Sequence, residues 1–111
     1  MVKKIYLDHI GIATSDLNES SVFWNLIGLI QGEEDEIVED QGVKTRFFDT
    51  SKNNPSIKSP KIELLEPTSS DTPIGKFLDK RGPGIQQICF RVENLPEMIS
   101  LLKNNGVLMI D

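Results

Sequence analysis

Two side chains far apart in this sequence could do chemistry together, His9 and Glu63. Imidazole and carboxylate suit a borderline divalent ion such as zinc, cobalt, nickel or manganese. The two lie 54 positions apart, so they share a site only if their strands curl around a common cleft. Otherwise His9 is a hydrogen-bonded strand histidine. Glu63 is then a solvated strand residue, or a surface partner of Lys44, Arg46 or Lys61, a pairing worth little. His9 is the only histidine of the chain. It heads the stretch Asp8-His9-Ile10-Gly11-Ile12-Ala13, whose frame returns 78 residues later as Gln86-Gln87-Ile88-Cys89-Phe90-Arg91, with Gln87 in the place of His9.

The same offset aligns Leu17 with Leu95, Glu19 with Glu97 and Gly28 with Gly106. Each copy is an apolar strand-like run, a polar break and a glycine-closed helix, one β-α unit used twice. Alternation across Ile5 to Ala13 puts Leu7, His9 and Gly11 on one strand face, and Tyr6, Asp8, Ile10 and Ile12 on the other. Thr14-Ser15-Asp16 supplies an N-cap. Leu17, Val22, Phe23, Leu26 and Ile27 form the apolar stripe of the helix, with Phe23 and Trp24 as core residues.

The run Glu33-Glu34-Asp35-Glu36 reads as a solvated edge or turn. Strands follow at Thr45 to Phe48 and Lys61 to Glu66, joined by a long, mobile hairpin loop from Asp49 to Pro60; Glu63 and Leu65 share one face of the second strand. A crossover carries Pro73 at the first position of a short helix, Ile74 to Lys80. A strand over Ile85 to Val92, a helix over Leu95 to Asn104 capped by Asn94, and a strand beginning at Val107 to Ile110 complete the pattern. The organisation is module one over about 1–67, a crossover over 68–84 and a partial module two over 85–111. Completing module two takes roughly 20–30 further residues or a partner chain, because it otherwise presents an open edge.

With 111 residues the chain suffices for one core without disulfides. Its single cysteine, Cys89, fits a reduced interior, and the absence of a leader or a long apolar run predicts a soluble, cytoplasmic protein with no membrane partner. A net charge of -5 argues against non-specific nucleic-acid binding.

The segments Asp8 to Ala13, Gln41-Gly42-Val43, Ile62 to Pro67, Ser70 to Leu78 and Lys80-Arg81-Gly82 through Phe90 together resemble methylmalonyl-CoA epimerases. These belong to the vicinal oxygen chelate superfamily, with glyoxalase I and the bleomycin-resistance proteins. The resemblance implies an α+β fold of tandem βαβββ modules, the second incomplete in this chain, with the sheet curled around a divalent metal ion. It further implies metal ligation by His9 and Glu63, with Gln87 offering a neutral amide oxygen where the family has the second histidine of a pair. The family's fourth ligand, a final-strand glutamate that is also its proposed base, has no counterpart before Asp111, which leaves the catalytic residue unassigned. Thr45 stands where some epimerases carry another carboxylate, and is the candidate beside the substrate. Lys76, Lys80 and Arg81 are candidates for coenzyme A phosphates, against the simpler reading of exposed helix-end charges.

The implied activity is a 1,2-proton shift at C2 of methylmalonyl-CoA through a metal-stabilised enolate. An acyl-CoA or another small oxygenated substrate would be the ligand and a homodimer the assembly. The alternatives are a non-catalytic acyl-CoA or small-ligand binding module with a degraded metal site, and a glyoxalase-type lyase.

Overall fold

The chain alternates strand and helix because period-two apolar runs are interrupted by capping residues, and the computed structural model describes residues 4–51 and 59–110. In order they form β1 (Ile5–Ala13), α1 (Leu17–Leu26), β2 (Ile30–Gln31), β3 (Glu36–Val38), β4 (Val43–Asp49), β5 (Lys61–Pro67), α2 (Pro73–Arg81), β6 (Gly84–Val92) and α3 (Leu95–Asn104). Residues 52–58 of the expected Asp49 to Pro60 loop lie outside the described residues.

The strands form one sheet in the order β2-β4-β5-β1-β6, with β3 also pairing with β4. Both β2 and β3 lie antiparallel to β4, so they act as one interrupted strand. The first half is therefore β-α-β-β-β. β1 runs parallel to β5 and antiparallel to β6. β6 and α3 then repeat the start of the chain.

The caps follow the repeat. Asp16 accepts from Glu19 N at 3.0 Å, and Asn94, 78 positions on, accepts from Glu97 N at 3.1 Å. Gly28 and Gly106 leave their helices with φ of 100° and 83°, a left-handed geometry that favours glycine. Thr72 caps α2 through Gly75 N, with Pro73 in the first turn.

The core is split by the sheet. On one face Leu17, Phe48 and Leu64 are buried with Ile12, Trp24 and Ile62 against them; on the other lie Ala13, Val43, Leu65 and Ile74, with Phe77 and Leu78 of α2.

Three expectations are corrected. The buried residues of α1 are Leu17 and Ser21, with Trp24 packed beside them. Phe23 is 58% and Leu26 80% exposed, and Val22 and Ile27 are exposed as well. Of the expected stripe Leu17 alone faces the core, and small Ser21 occupies a packing position against Arg46 that hydrophobicity does not mark. Val107 to Ile110 makes no strand among the described residues. Asp35 is not a solvated member of an acidic run: it meets Arg46 through Nε–Oδ1 and Nη2–Oδ2 contacts of 2.8 Å each, and Arg46 also donates to Ser21 and Asn18.

Candidate metal and substrate cleft

Three adjacent strands bring the chemistry together. Gly11 of β1 lies between Glu63 of β5 and Gln87 of β6 in the two registers. A Cβ at Gly11 would sit 2.5 Å from Gln87 Cγ, so only glycine lets the Gln87 side chain cross β1. Gln87 Nε2 thereby donates to Glu63 Oε1 at 3.3 Å. From the neighbouring row of β1, His9 Nε2 approaches the same Glu63 Oε1 at 3.3 Å. Phe47, paired with Glu63 across β4 and β5, packs edge-on against the imidazole with ring centroids 6.0 Å apart.

Strict alternation would put Asp8 on the face opposite His9, and this expectation is also corrected. The β1–β6 register passes from Leu7↔Phe90 to His9↔Cys89, so Asp8 is an extra, bulged residue. It turns alongside its neighbour, and its Oδ2 lies 2.7 Å from His9 Nδ1. A second bulge follows where Gly11↔Gln87 gives way to Ile12↔Ile85, and its extra residue is Gln86, the repeat partner of Asp8. Gln86 and Gln87 consequently both line the cavity.

The cavity measures about 600 Å³ and is lined from β1, β4, β5 and β6. His9, Glu63 and Gln87 line it beside Thr45, Asp40 and Cys89. Pro73 and Ile74 of α2 add to its lining. Thr45 is buried, its hydroxyl directed to the Glu36 carbonyl at 3.4 Å. Lys76 and Lys80 lie instead along a separate depression with Ser70 and Asp79, and Arg81, exposed in the last turn of α2, is not among the cavity residues. The fold therefore gathers His9, Glu63, Gln87 and Thr45 and leaves Lys76 and Arg81 apart.

Electrostatically the site is under-neutralised. Glu63 is only 8% exposed, and burial pushes its carboxyl above the ordinary glutamate value, opposed by the His9 charge and the Gln87 hydrogen bond. Asp8 shifts the other way, lowered by its hydrogen bond to His9 and by Arg91, whose Nε lies 3.1 Å away. Donor atoms of Asp8, His9 and Cys89 lie within 4.8 Å of one another, a second grouping through which the ring could meet a metal ion. A desolvated carboxylate sharing a pocket with an imidazole and an amide fits a divalent cation, which would supply the missing positive charge. To offer oxygen to such an ion the Gln87 amide must turn over, because it now presents nitrogen to Glu63.

Sequence reasoning missed Asp40, Gln86 and Cys89 as cavity residues. The repeat held a signal for Gln86, since Asp8 adjoins the candidate ligand His9 and Gln86 adjoins Gln87. Asp40 is placed by the turn through Gly42, whose φ is 63°.

Comparison with known proteins agrees with this architecture. The chain is 37% identical over 106 residues to the uncharacterized protein YqjC of Bacillus subtilis, covering 95% of this chain and 70% of that one. The crystal structure of methylmalonyl-CoA epimerase from Mycobacterium tuberculosis superposes with a TM-score of 0.79 at 36% identity, covering 95% of this chain and 67% of that one. A methylmalonyl-CoA epimerase solved in complex with methylmalonyl-CoA and NH4+ gives the same TM-score at 31% identity, over 95% of this chain and 72% of that one. Among curated relatives the chain spans from 53% of the mouse mitochondrial methylmalonyl-CoA epimerase to 70% of YqjC. No helix among the described residues is long and apolar enough to cross a membrane. Residues 8–111 match the family as a whole, and the chain belongs to the Glyoxalase/Bleomycin resistance protein/Dioxygenase superfamily.

Proposed function

We propose that this chain carries the cleft of a metal-dependent epimerase acting at C2 of methylmalonyl-CoA or a close acyl-CoA relative. The observation that carries the reading is the convergence of His9 Nε2 and the Gln87 side chain on Glu63 Oε1, each at 3.3 Å, at the wall of the cavity. His9, Glu63 and Gln87 would hold the ion, its identity left among cobalt, manganese, nickel and zinc. When bound, it supplies positive charge to a carbonyl oxygen on which negative charge develops.

The chain's own residues do the rest. The apolar wall of Val43, Leu65 and Ile74 excludes water from one side of the cleft and strengthens charge interactions inside it. Thr45 lines the cavity where a substrate carbonyl or carboxylate would lie. Of the two carboxylates that line it, Glu63 is engaged by His9 and Gln87, which leaves Asp40 for proton exchange at carbon. We further assign the assembly as a homodimer and the compartment as cytoplasmic, readings supported by the family resemblance and by the lone cysteine respectively.

A second reading is favoured by one observation: Gln87 presents its amide nitrogen, not its oxygen, to Glu63. On this reading the amide occupies the carboxylate in place of an ion, and the cleft would hold an acyl-CoA without catalysis. Incubating metal-loaded protein with methylmalonyl-CoA in deuterium oxide separates the two. The epimerase incorporates deuterium at C2, and the His9→Ala variant does not. Tight acyl-CoA binding without exchange overturns the epimerase reading in favour of the binding module.

A further inference from the structure

We infer that Asp8 is a positioning residue that fixes which nitrogen His9 turns into the cleft, and that the bulge at Asp8 exists to put it there. The inference rests on the proposed metal role of His9 only for its functional consequence.

His9 has two ring nitrogens with different neighbours. Nε2 faces Glu63 at 3.3 Å, whereas Nδ1 lies 2.7 Å from Asp8 Oδ2. The shorter contact is a charge-assisted hydrogen bond in which Nδ1–H donates and the carboxylate accepts. When the ring is neutral, that assigns its proton to Nδ1 and leaves Nε2, on the longer contact to Glu63, as the nitrogen free to meet a cation in the cavity, as a carboxylate orients a metal-binding histidine from behind. Arg91 Nε, at 3.1 Å from Asp8 Oδ1, occupies the other carboxylate oxygen. With both oxygens engaged, Asp8 is supplied as an orienting group and not as a donor to an ion.

The repeat provides an internal control. Bulges fall at Asp8 on β1 and at its repeat partner Gln86 on β6. Each places the residue before the candidate ligand on the same side as that ligand. At His9 the neighbour is a carboxylate, because imidazole has a second nitrogen to satisfy. At Gln87 the candidate ligand is an amide, and Gln86 Oε1 is buried with no hydrogen-bond partner among the described residues. The same backbone device thus recurs, but its orienting use follows the ligand's chemistry.

Two measurements test this. In metal-free, nitrogen-15-labelled protein the single imidazole gives one pair of ring resonances, and at a pH where the ring is neutral the proton is expected on Nδ1. Asp8→Asn should shift that tautomer balance toward Nε2–H. Zinc titration by calorimetry should then show about 10–100-fold weaker binding in Asp8→Asn, a clearly smaller loss in Cys89→Ser, and a loss of no more than about threefold in Arg91→Ala, since Arg91 is exposed. A wild-type ring protonated on Nε2, or unchanged zinc affinity in Asp8→Asn, overturns the inference. Equal losses in Asp8→Asn and Cys89→Ser also overturn it, making both residues ligands. If the ring carries its proton on Nδ1 but wild-type protein binds no zinc, the positioning role stands and the metal-dependent reading of the cleft fails.

Discussion

Two buried charges sit on adjacent strands and opposite faces of one sheet, and they are treated differently. Arg46 of β4, under α1, is 9% exposed and is satisfied by Asp35, Asn18 and Ser21. Glu63 of β5, facing the cavity, is 8% exposed and meets, among the described residues, an imidazole and an amide. The Arg46 pair lowers Asp35 below its ordinary value, chiefly through the hydrogen bonds between them. Burial raises Glu63. A matched charge holds structure together, while an incompletely matched one is tolerated where a ligand completes it. On the proposed reading, the difference marks the cavity side as the working face.

The comparison can be broken most severely at His9. Replacing it by Ala should abolish tight divalent binding and C2 exchange while leaving the Arg46 side intact, as calorimetry and deuterium incorporation would show. Asp40→Asn should lower the exchange rate by about 10²–10⁴-fold with metal affinity retained, the range for losing a general acid-base group. On the structural face, Arg46→Ala removes the bidentate partner of Asp35 and leaves it the more distant, partly exposed Lys44, which should cost about 3 kcal/mol in urea unfolding, with little effect on metal affinity.

Glu63→Gln should do the reverse of Arg46→Ala. At neutral pH it removes a desolvated charge, so the metal-free variant should be as stable as wild type or more so, yet lose metal binding. The pH dependences have opposite signs. Asp35 has a folded value below 3.8, so it adds stability above its unfolded value that is lost as pH falls through the folded one. Glu63 has a folded value above 4.5, so its contribution declines as pH rises from the unfolded through the folded value. Unfolding of Asp35→Asn and Glu63→Gln across that acid range, each against wild type, would resolve the two. The smallest effect is expected at Lys44, whose amino group is 3.9 Å from Asp35 and partly exposed; Lys44→Ala should change stability by less than about 1 kcal/mol.

How much of this was legible beforehand depended on whether the signal was local. The strands carrying His9 and Glu63, the Asn94 and Thr72 caps and the end of α1 at Gly28 follow from short-range patterns, and the repeat drew attention to Gln87. The role of Gly11 was not visible, because it depends on which strands flank β1. Nor was the side on which Asp8 lies, since one bulged residue reverses the alternation on which such a reading rests. The Arg46–Asp35 pair spans 11 residues and an irregular turn, with no periodicity to announce it. On α1, burial of Ser21 and exposure of Phe23 follow from the position of Arg46 beneath the helix. Lys76 and Arg81 were attractive by charge alone, and their distance from the cleft is a matter of where α2 packs.

The most direct test of the central claim is titration of metal-free protein with cobalt(II), followed by its visible absorption. If Glu63 and His9 are two parts of a cation site, one ion binds per chain in wild type, and both His9→Ala and Glu63→Gln abolish tight binding without loss of fold. Wild-type protein that binds no ion, or variants that bind as tightly as wild type, would contradict the account and make Glu63 a buried carboxylate held by its neighbours alone.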